Sequence, residues 1–103
     1  MPTSDASYLL ALRATLESYH IPKSEYSLLE GPKEDAVCLS YRGGQWMTYL
    51  FERGQKTCIQ YADSLDTAMI NMMGELSASR NEQRRMEEYY RRALDTIESK
   101  KEN

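Results

Sequence analysis

The chain of 103 residues is long enough for a single domain, residues 1–103, with a modest hydrophobic core. Its hydrophobic content of 41% and charged content of 28% are ordinary for a globular protein, and its net charge of −3 argues against nucleic-acid binding, which usually needs a basic surface. No apolar run is long enough for a transmembrane helix and the N-terminus does not resemble a signal peptide, so we expect a cytoplasmic protein without membrane contact.

The first predicted element is an amphipathic helix over residues 5–19. Its apolar residues recur at spacings of three and four, at Leu9, Leu12, Leu16 and Tyr19. Ser4 or Asp5 can cap its first turn. Pro22 ends it, because a proline disfavours the helical conformation at the preceding residue.

The middle of the chain predicts an antiparallel sheet over residues 25–61. A short strand candidate at 25–29 precedes a charged loop at 30–35. Three stronger strands follow, at 36–42, 45–52 and 55–61. Gly43-Gly44 and Arg53-Gly54 are two-residue turns, which join these three strands into an antiparallel meander.

Residues 64–99 are predicted to be helical, with Asp63 or Ser64 as the cap. A single helix of this length would extend about 54 Å at about 1.5 Å per residue, more than the width of a compact domain of this size. It therefore either projects beyond the sheet or breaks near residues 77–81. The expected fold is α+β, with a long C-terminal helix or a helix pair packed on one face of the sheet.

The two tight turns fix a register and divide the sheet into two faces. One face is the better candidate for the core: Val37, Leu39, Tyr41, Trp46, Thr48, Leu50, Thr57, Ile59 and Tyr61. The other face is mixed: Ala36, Cys38, Ser40, Met47, Tyr49, Phe51, Lys56, Cys58 and Gln60. On it, Cys38 and Cys58 lie about 10 Å apart across three strands, beyond disulfide reach, so we expect free thiols.

The mixed face leaves two interpretations open for Met47, Tyr49 and Phe51, which follow one another on its middle strand. They form either a second, smaller core covered by this chain or an exposed stripe that binds a partner. Charged residues nearby are further candidates for partner contact: Glu30, Glu34 and Asp35 in the loop, and Glu52 and Arg53 at a hairpin tip. The alternative for these charges is an ordinary solvated surface.

Nothing in the sequence predicts an enzyme, a metal site or a cofactor. His20 is the only histidine, and its place at a helix end favours a role in the last turn over that of a general base. No nucleophile–base pair, phosphate-binding loop or metal-ligand spacing is visible.

The segment Gln45–Lys56, "QWMTYLFERGQK", followed by "DSLDTA", resembles small immunity proteins of bacterial polymorphic toxin systems, including contact-dependent inhibition. The resemblance covers residues 21–76 and rests on a Trp-led strand ending in Glu-Arg-Gly and on a capped helix. The matching positions are Trp46, Tyr49, Glu52, Arg53, Gly54, Asp63, Ser64 and Ala68. It implies a non-enzymatic cytoplasmic inhibitor that binds one toxin C-terminal domain and occludes its active site or substrate surface.

A second hypothesis is a non-enzymatic dimeric adaptor or structural module. The stripe of Met86, Tyr90, Ala93 and Ile97 on the last helix has the spacing of a short coiled coil and could pack on a second copy of the chain. Packing on the chain's own sheet is the alternative for this stripe. The two hypotheses are compatible, since an immunity protein can also dimerise.

Overall fold

The computed structural model describes residues 4–101, which form α-helices and a four-stranded sheet. The elements are α1 Asp5–Ser18, a short 3-10 helix Lys23–Glu25, β1 Tyr26–Leu28, β2 Ala36–Arg42, β3 Gln45–Glu52, β4 Gln55–Ala62, α2 Leu65–Leu76 and α3 Arg80–Lys101. The predicted α+β class is confirmed, and the helical region after the sheet is a broken pair. The prediction that this pair packs on the sheet holds for α2, whereas α3 packs mainly on α1 and α2.

The helix ends follow local capping chemistry. Ser4 caps α1 and Ser64 caps α2, each side chain accepting a hydrogen bond from a backbone N–H three residues later. Between α2 and α3, the Ser79 hydroxyl accepts from the backbone N–H of Glu82 at 3.1 Å, while the Glu82 carboxylate accepts from the backbone N–H of Ala78 at 2.9 Å. This reciprocal pair closely resembles a capping box and starts α3 as a new helix.

The sheet has the order β1-β2-β3-β4, and β1 runs parallel to β2. The prediction of an antiparallel arrangement throughout is therefore wrong at β1. Parallel neighbours usually need a crossover of a dozen or more residues. Here β1 has only three residues, so the short loop 29–35 can return the chain to the start of the next strand. Positive φ angles at Leu29, Gly31 and Asp35 let the loop reverse direction so tightly.

The predicted register holds between β2 and β3, where Tyr41 pairs with Trp46, Leu39 with Thr48 and Val37 with Leu50. Both hairpin turns have two residues with positive φ, as type I′ turns require.

Between β3 and β4 the register is only half as predicted. Leu50 pairs with Thr57, but Thr48 pairs with Gln60 and Trp46 with Ala62. One extra residue in β4 causes the shift: Cys58 and Ile59 both lie opposite Tyr49, and Cys58 has a φ of 51°. From this β-bulge to its end, β4 therefore presents the opposite set of side chains to each face.

The main core lies between the helices and one sheet face. It contains buried residues of α1, β1, β2, β4, α2 and α3, with Leu12, Leu39, Met69, Met72 and Tyr90 among the largest. Of the predicted core face, Val37, Leu39 and Thr48 are buried and Trp46 and Leu50 are half-buried. Four others are exposed, contrary to the prediction: Tyr41, Thr57, Ile59 and Tyr61. Tyr41 and Thr57 lie at strand ends, and the bulge removes Ile59 and Tyr61 from this face.

Candidate protein-binding face

The sheet face that points away from the main core carries a small apolar cluster of its own. Ala36, Cys38 and Tyr49 are buried in it, and Met47 and Phe51 are half-buried against them. All five belong to β2 and β3, so among residues 4–101 no helix contributes a side chain to this cluster. We call this side of the sheet the open face.

Tyr49 forms the floor of the open face. Its side chain is only 3% exposed. The Phe51 ring packs edge-on against it with ring centroids 6.5 Å apart, and the Lys56 ammonium lies 4.9 Å from its centroid. Burial raises the pKa of the Tyr49 phenol, and the neighbouring Cys38 thiol raises it further. Tyr49 therefore supports the surface, whereas Met47 and Phe51 form part of it.

The β4 bulge makes the open face larger and more apolar than the sequence predicted. Tyr61 pairs with Met47 and is 61% exposed, and Ile59, beside the bulge, is 44% exposed. Alternation from Gln60, which pairs with the core-facing Thr48, turns both side chains to the open face. Apolar surface thus extends from Met47 and Phe51 on β3 to the edge strand.

The loop before β2 is fastened to the turn between β3 and β4. The Glu34 carboxylate accepts hydrogen bonds from the backbone N–H groups of Arg53 and, at 3.4 Å, Gly54. The Asp35 N–H donates to the carbonyl of Phe51 at 2.7 Å. Four candidate residues are consequently brought to one exposed corner of the sheet: Glu34, Asp35, Glu52 and Arg53.

Glu30 lies apart from that corner. It lines a cleft of about 200 Å³ between α1 and the β1 edge, together with Arg13, Glu17 and Lys23. Tyr26 forms a buried wall of the cleft, and the pKa of its phenol is raised first by burial and then by Glu17. The acidic residues of the predicted loop therefore do not form one patch, since Glu30 lies in the cleft and Glu34 and Asp35 lie at the corner.

The C-terminal stripe is largely part of the main core. Met86 and Tyr90 are fully buried, and the Tyr90 hydroxyl donates to the Asp66 carboxylate at 2.8 Å. Burial and the Asp66 carboxylate hold the pKa of the Tyr90 phenol well above its ordinary value. Ala93 and Ile97 instead line a groove of about 520 Å³ between α3 and α1. Only these two residues of the stripe remain accessible to a second copy.

The one histidine and the two cysteines of the chain lie in different parts of the fold. His20 lies at the C-terminal turn of α1, where its backbone N–H donates to the Glu17 carbonyl at 3.0 Å. Cys38 is buried and Cys58 exposed, and both are free thiols. Residues 4–101 contain no group of three or more potential metal ligands and no helix that is long and apolar enough to cross a membrane.

Comparisons of the chain with protein-family models, with curated proteins and with solved structures found no match. The resemblance to immunity proteins therefore remains a prediction from residues 21–76.

Proposed function

We propose that this chain is an immunity protein, which binds a cognate bacterial toxin domain and neutralises it by covering its active site or substrate surface. The open face is the main contact surface in this proposal. The exposed corner formed by Glu34, Asp35, Glu52 and Arg53, at one end of the sheet, is a further candidate contact.

The exposure of Ile59 and Tyr61 beside Met47 and Phe51 is the observation that carries the proposal. Contiguous exposed apolar patches often mark sites of protein interaction, and aromatic side chains are enriched where proteins bind one another. A rigid sheet also presents such side chains without the entropic cost of ordering a loop. Both properties suit an inhibitor whose task is tight binding.

The proposal predicts that a large neighbouring gene encodes the toxin, and the test uses the variable C-terminal domain of its product. We expect this chain to bind that domain tightly in a 1:1 complex and to suppress its toxicity in co-expressing cells. The absence of both binding and protection would refute the proposed function.

The contact surface is tested separately with a matched pair of tyrosines. Tyr61→Ala should weaken toxin binding at least about tenfold, as expected for a buried aromatic anchor. Tyr41 is the control, because it is 53% exposed, close to the 61% of Tyr61, but lies on the other side of the sheet. Tyr41→Ala should leave the affinity nearly unchanged, and equal losses from both substitutions would refute the open face as the contact surface.

The alternative function is a dimeric adaptor, and the groove between α1 and α3 is the observation that favours it. Ala93 and Ile97 would contact the second copy there, beside Ala14 and Tyr89, while Met86 and Tyr90 remain in the core. Light scattering at high protein concentration is the discriminating measurement. A strict monomer would exclude the adaptor and leave the immunity proposal intact.

A further inference from the structure

The charge of the open face differs in sign from that of the whole chain. Alternation along β2 and β4 places Arg42 and Lys56 on this face, and both side chains are exposed. They flank the apolar surface at opposite ends, since Arg42 precedes the β2–β3 turn and Lys56 follows the β3–β4 turn. The net charge of the chain is −3.

The carboxylates nearest to the open face, Glu34 and Asp35, lie at its corner and form no ion pair with either cation among residues 4–101. The Glu34 carboxylate is bonded to the turn amides of Arg53 and Gly54. Glu52 shares the opposite side of the sheet with Leu50, by alternation along β3. The ion pair found within residues 4–101 joins Arg91 to Asp66, so neither Arg42 nor Lys56 has an acidic partner among these residues.

Lys56 is held in place by its own neighbour on the sheet. Its ammonium lies 4.9 Å from the centroid of the Tyr49 ring, and Tyr49 is fixed by burial. A cation held over an aromatic face keeps its charge and loses little further freedom on binding. It is therefore well placed to meet a carboxylate of a partner.

We propose that the open face recognises a protein surface that is apolar at its centre and acidic at its rim. The chemistry follows from the arrangement itself: Met47, Phe51, Ile59 and Tyr61 supply apolar contacts, and a cation stands at each end of them. The proposal rests on the proposed function for its biological partner, but not for its chemistry. A basic partner, which the net charge of the chain would favour at long range, is the competing outcome.

Two synthetic peptides of the same length serve as probes. Both alternate Leu and Trp with charged residues, which are Glu in one peptide and Lys in the other. Binding is mapped from backbone amide shifts of the full chain by NMR, with increasing peptide concentration and at two salt concentrations. The acidic peptide should shift the amides of Met47, Phe51, Ile59 and Tyr61 and bind about tenfold more tightly than the basic peptide at low salt.

Charge reversal identifies the groups responsible. Arg42→Glu combined with Lys56→Glu should invert the preference, so that the basic peptide binds more tightly. Arg84→Glu combined with Arg85→Glu is the matched control, because it makes the same charge change at exposed positions on α3 and should leave the acidic peptide preferred.

Three results would overturn the proposal: equal affinity for both peptides, shifts that fall outside the open face, or failure of the acidic peptide to bind. These outcomes are distinct from failure of the proposed function. A toxin that binds another surface would leave the chain an immunity protein while refuting this chemistry. A clear preference for the acidic peptide, combined with failure to bind any toxin, would support this chemistry and refute the proposed function.

Discussion

Replacement of Cys58 tests the bulge on which the open face depends. Its φ of 51° lies in the left-handed region, which costs a residue with a Cβ atom about 1 kcal/mol or more. The side chain is exposed, so its removal changes little buried area. We therefore expect Cys58→Gly to raise the free energy of unfolding by about 1 kcal/mol. Cys58→Val should lower it by about 1–2 kcal/mol, because a β-branched residue fits this conformation worst.

Urea unfolding in reducing buffer, followed by the fluorescence of Trp46, measures both changes. With a slope of about 1–2 kcal/mol per molar urea, a change of about 1 kcal/mol moves the midpoint by about 0.5–1 M. Gln60 is the control, since it is exposed on the same strand and lacks the positive φ of Cys58. There the order should reverse, with Gln60→Val more stable than Gln60→Gly by about 1 kcal/mol.

A Val variant more stable than the Gly variant at both positions would refute the bulge. Cys58 would then have ordinary strand geometry, and the regular register would pair Ile59 with Thr48 and Tyr61 with Trp46. Both side chains would face the core, and the apolar surface proposed for partner binding would not exist.

Thr48, Tyr90 and Glu34 provide three further predictions. Thr48→Val should raise the free energy of unfolding, measured in urea, by about 1 kcal/mol, because the Thr48 hydroxyl is buried and has no hydrogen-bond partner among the described residues. A decrease in the free energy of unfolding would instead imply that this hydroxyl is hydrogen-bonded in the folded protein. The pKa of Tyr90 is raised in the folded state, so its contribution is present below the unfolded pKa of about 10 and is lost as pH rises, by up to about 1.4 kcal/mol per pH unit. Tyr90→Phe should flatten this alkaline decline in urea unfolding, and an unchanged slope would contradict the assignment. Glu34→Gln should lower the thermal midpoint by weakening the bonds to the turn amides, at a cost of about 1 kcal/mol, whereas Glu52→Gln should have little effect.

The helices could be predicted from the sequence because their signals are local. Apolar spacing locates α1, and serines cap α1 and α2. The break before α3 is also encoded locally: Ser79 and Glu82 have the spacing of a capping box, which favours a new helix over a continuous one.

The sheet could be predicted only in part, because strand direction and bulges depend on distant contacts. A strand of three residues such as β1 carries no signal for its direction. Only Ala62 is buried in β4, so burial of one face places almost no constraint on the register of this strand. The small Ala62 opposite Trp46 is the one residue whose burial distinguishes the two registers. The sequence therefore placed Ile59 and Tyr61 on the core face, whereas the bulge turns both side chains to the open face.

Both edges of the sheet carry features that oppose addition of a partner strand, which favours binding through side chains of the open face. At β1, the Lys33 ammonium donates to the carbonyls of Lys23 and Tyr26 at 3.0 and 3.1 Å. At β4, the bulge interrupts regular hydrogen-bond spacing, and Lys56 adds a charge that a neighbouring strand would have to accommodate. Strand addition gains its affinity from main-chain hydrogen bonds and would tolerate Tyr61→Ala. A large loss of toxin affinity in that variant would therefore distinguish binding by the face from binding at the edge.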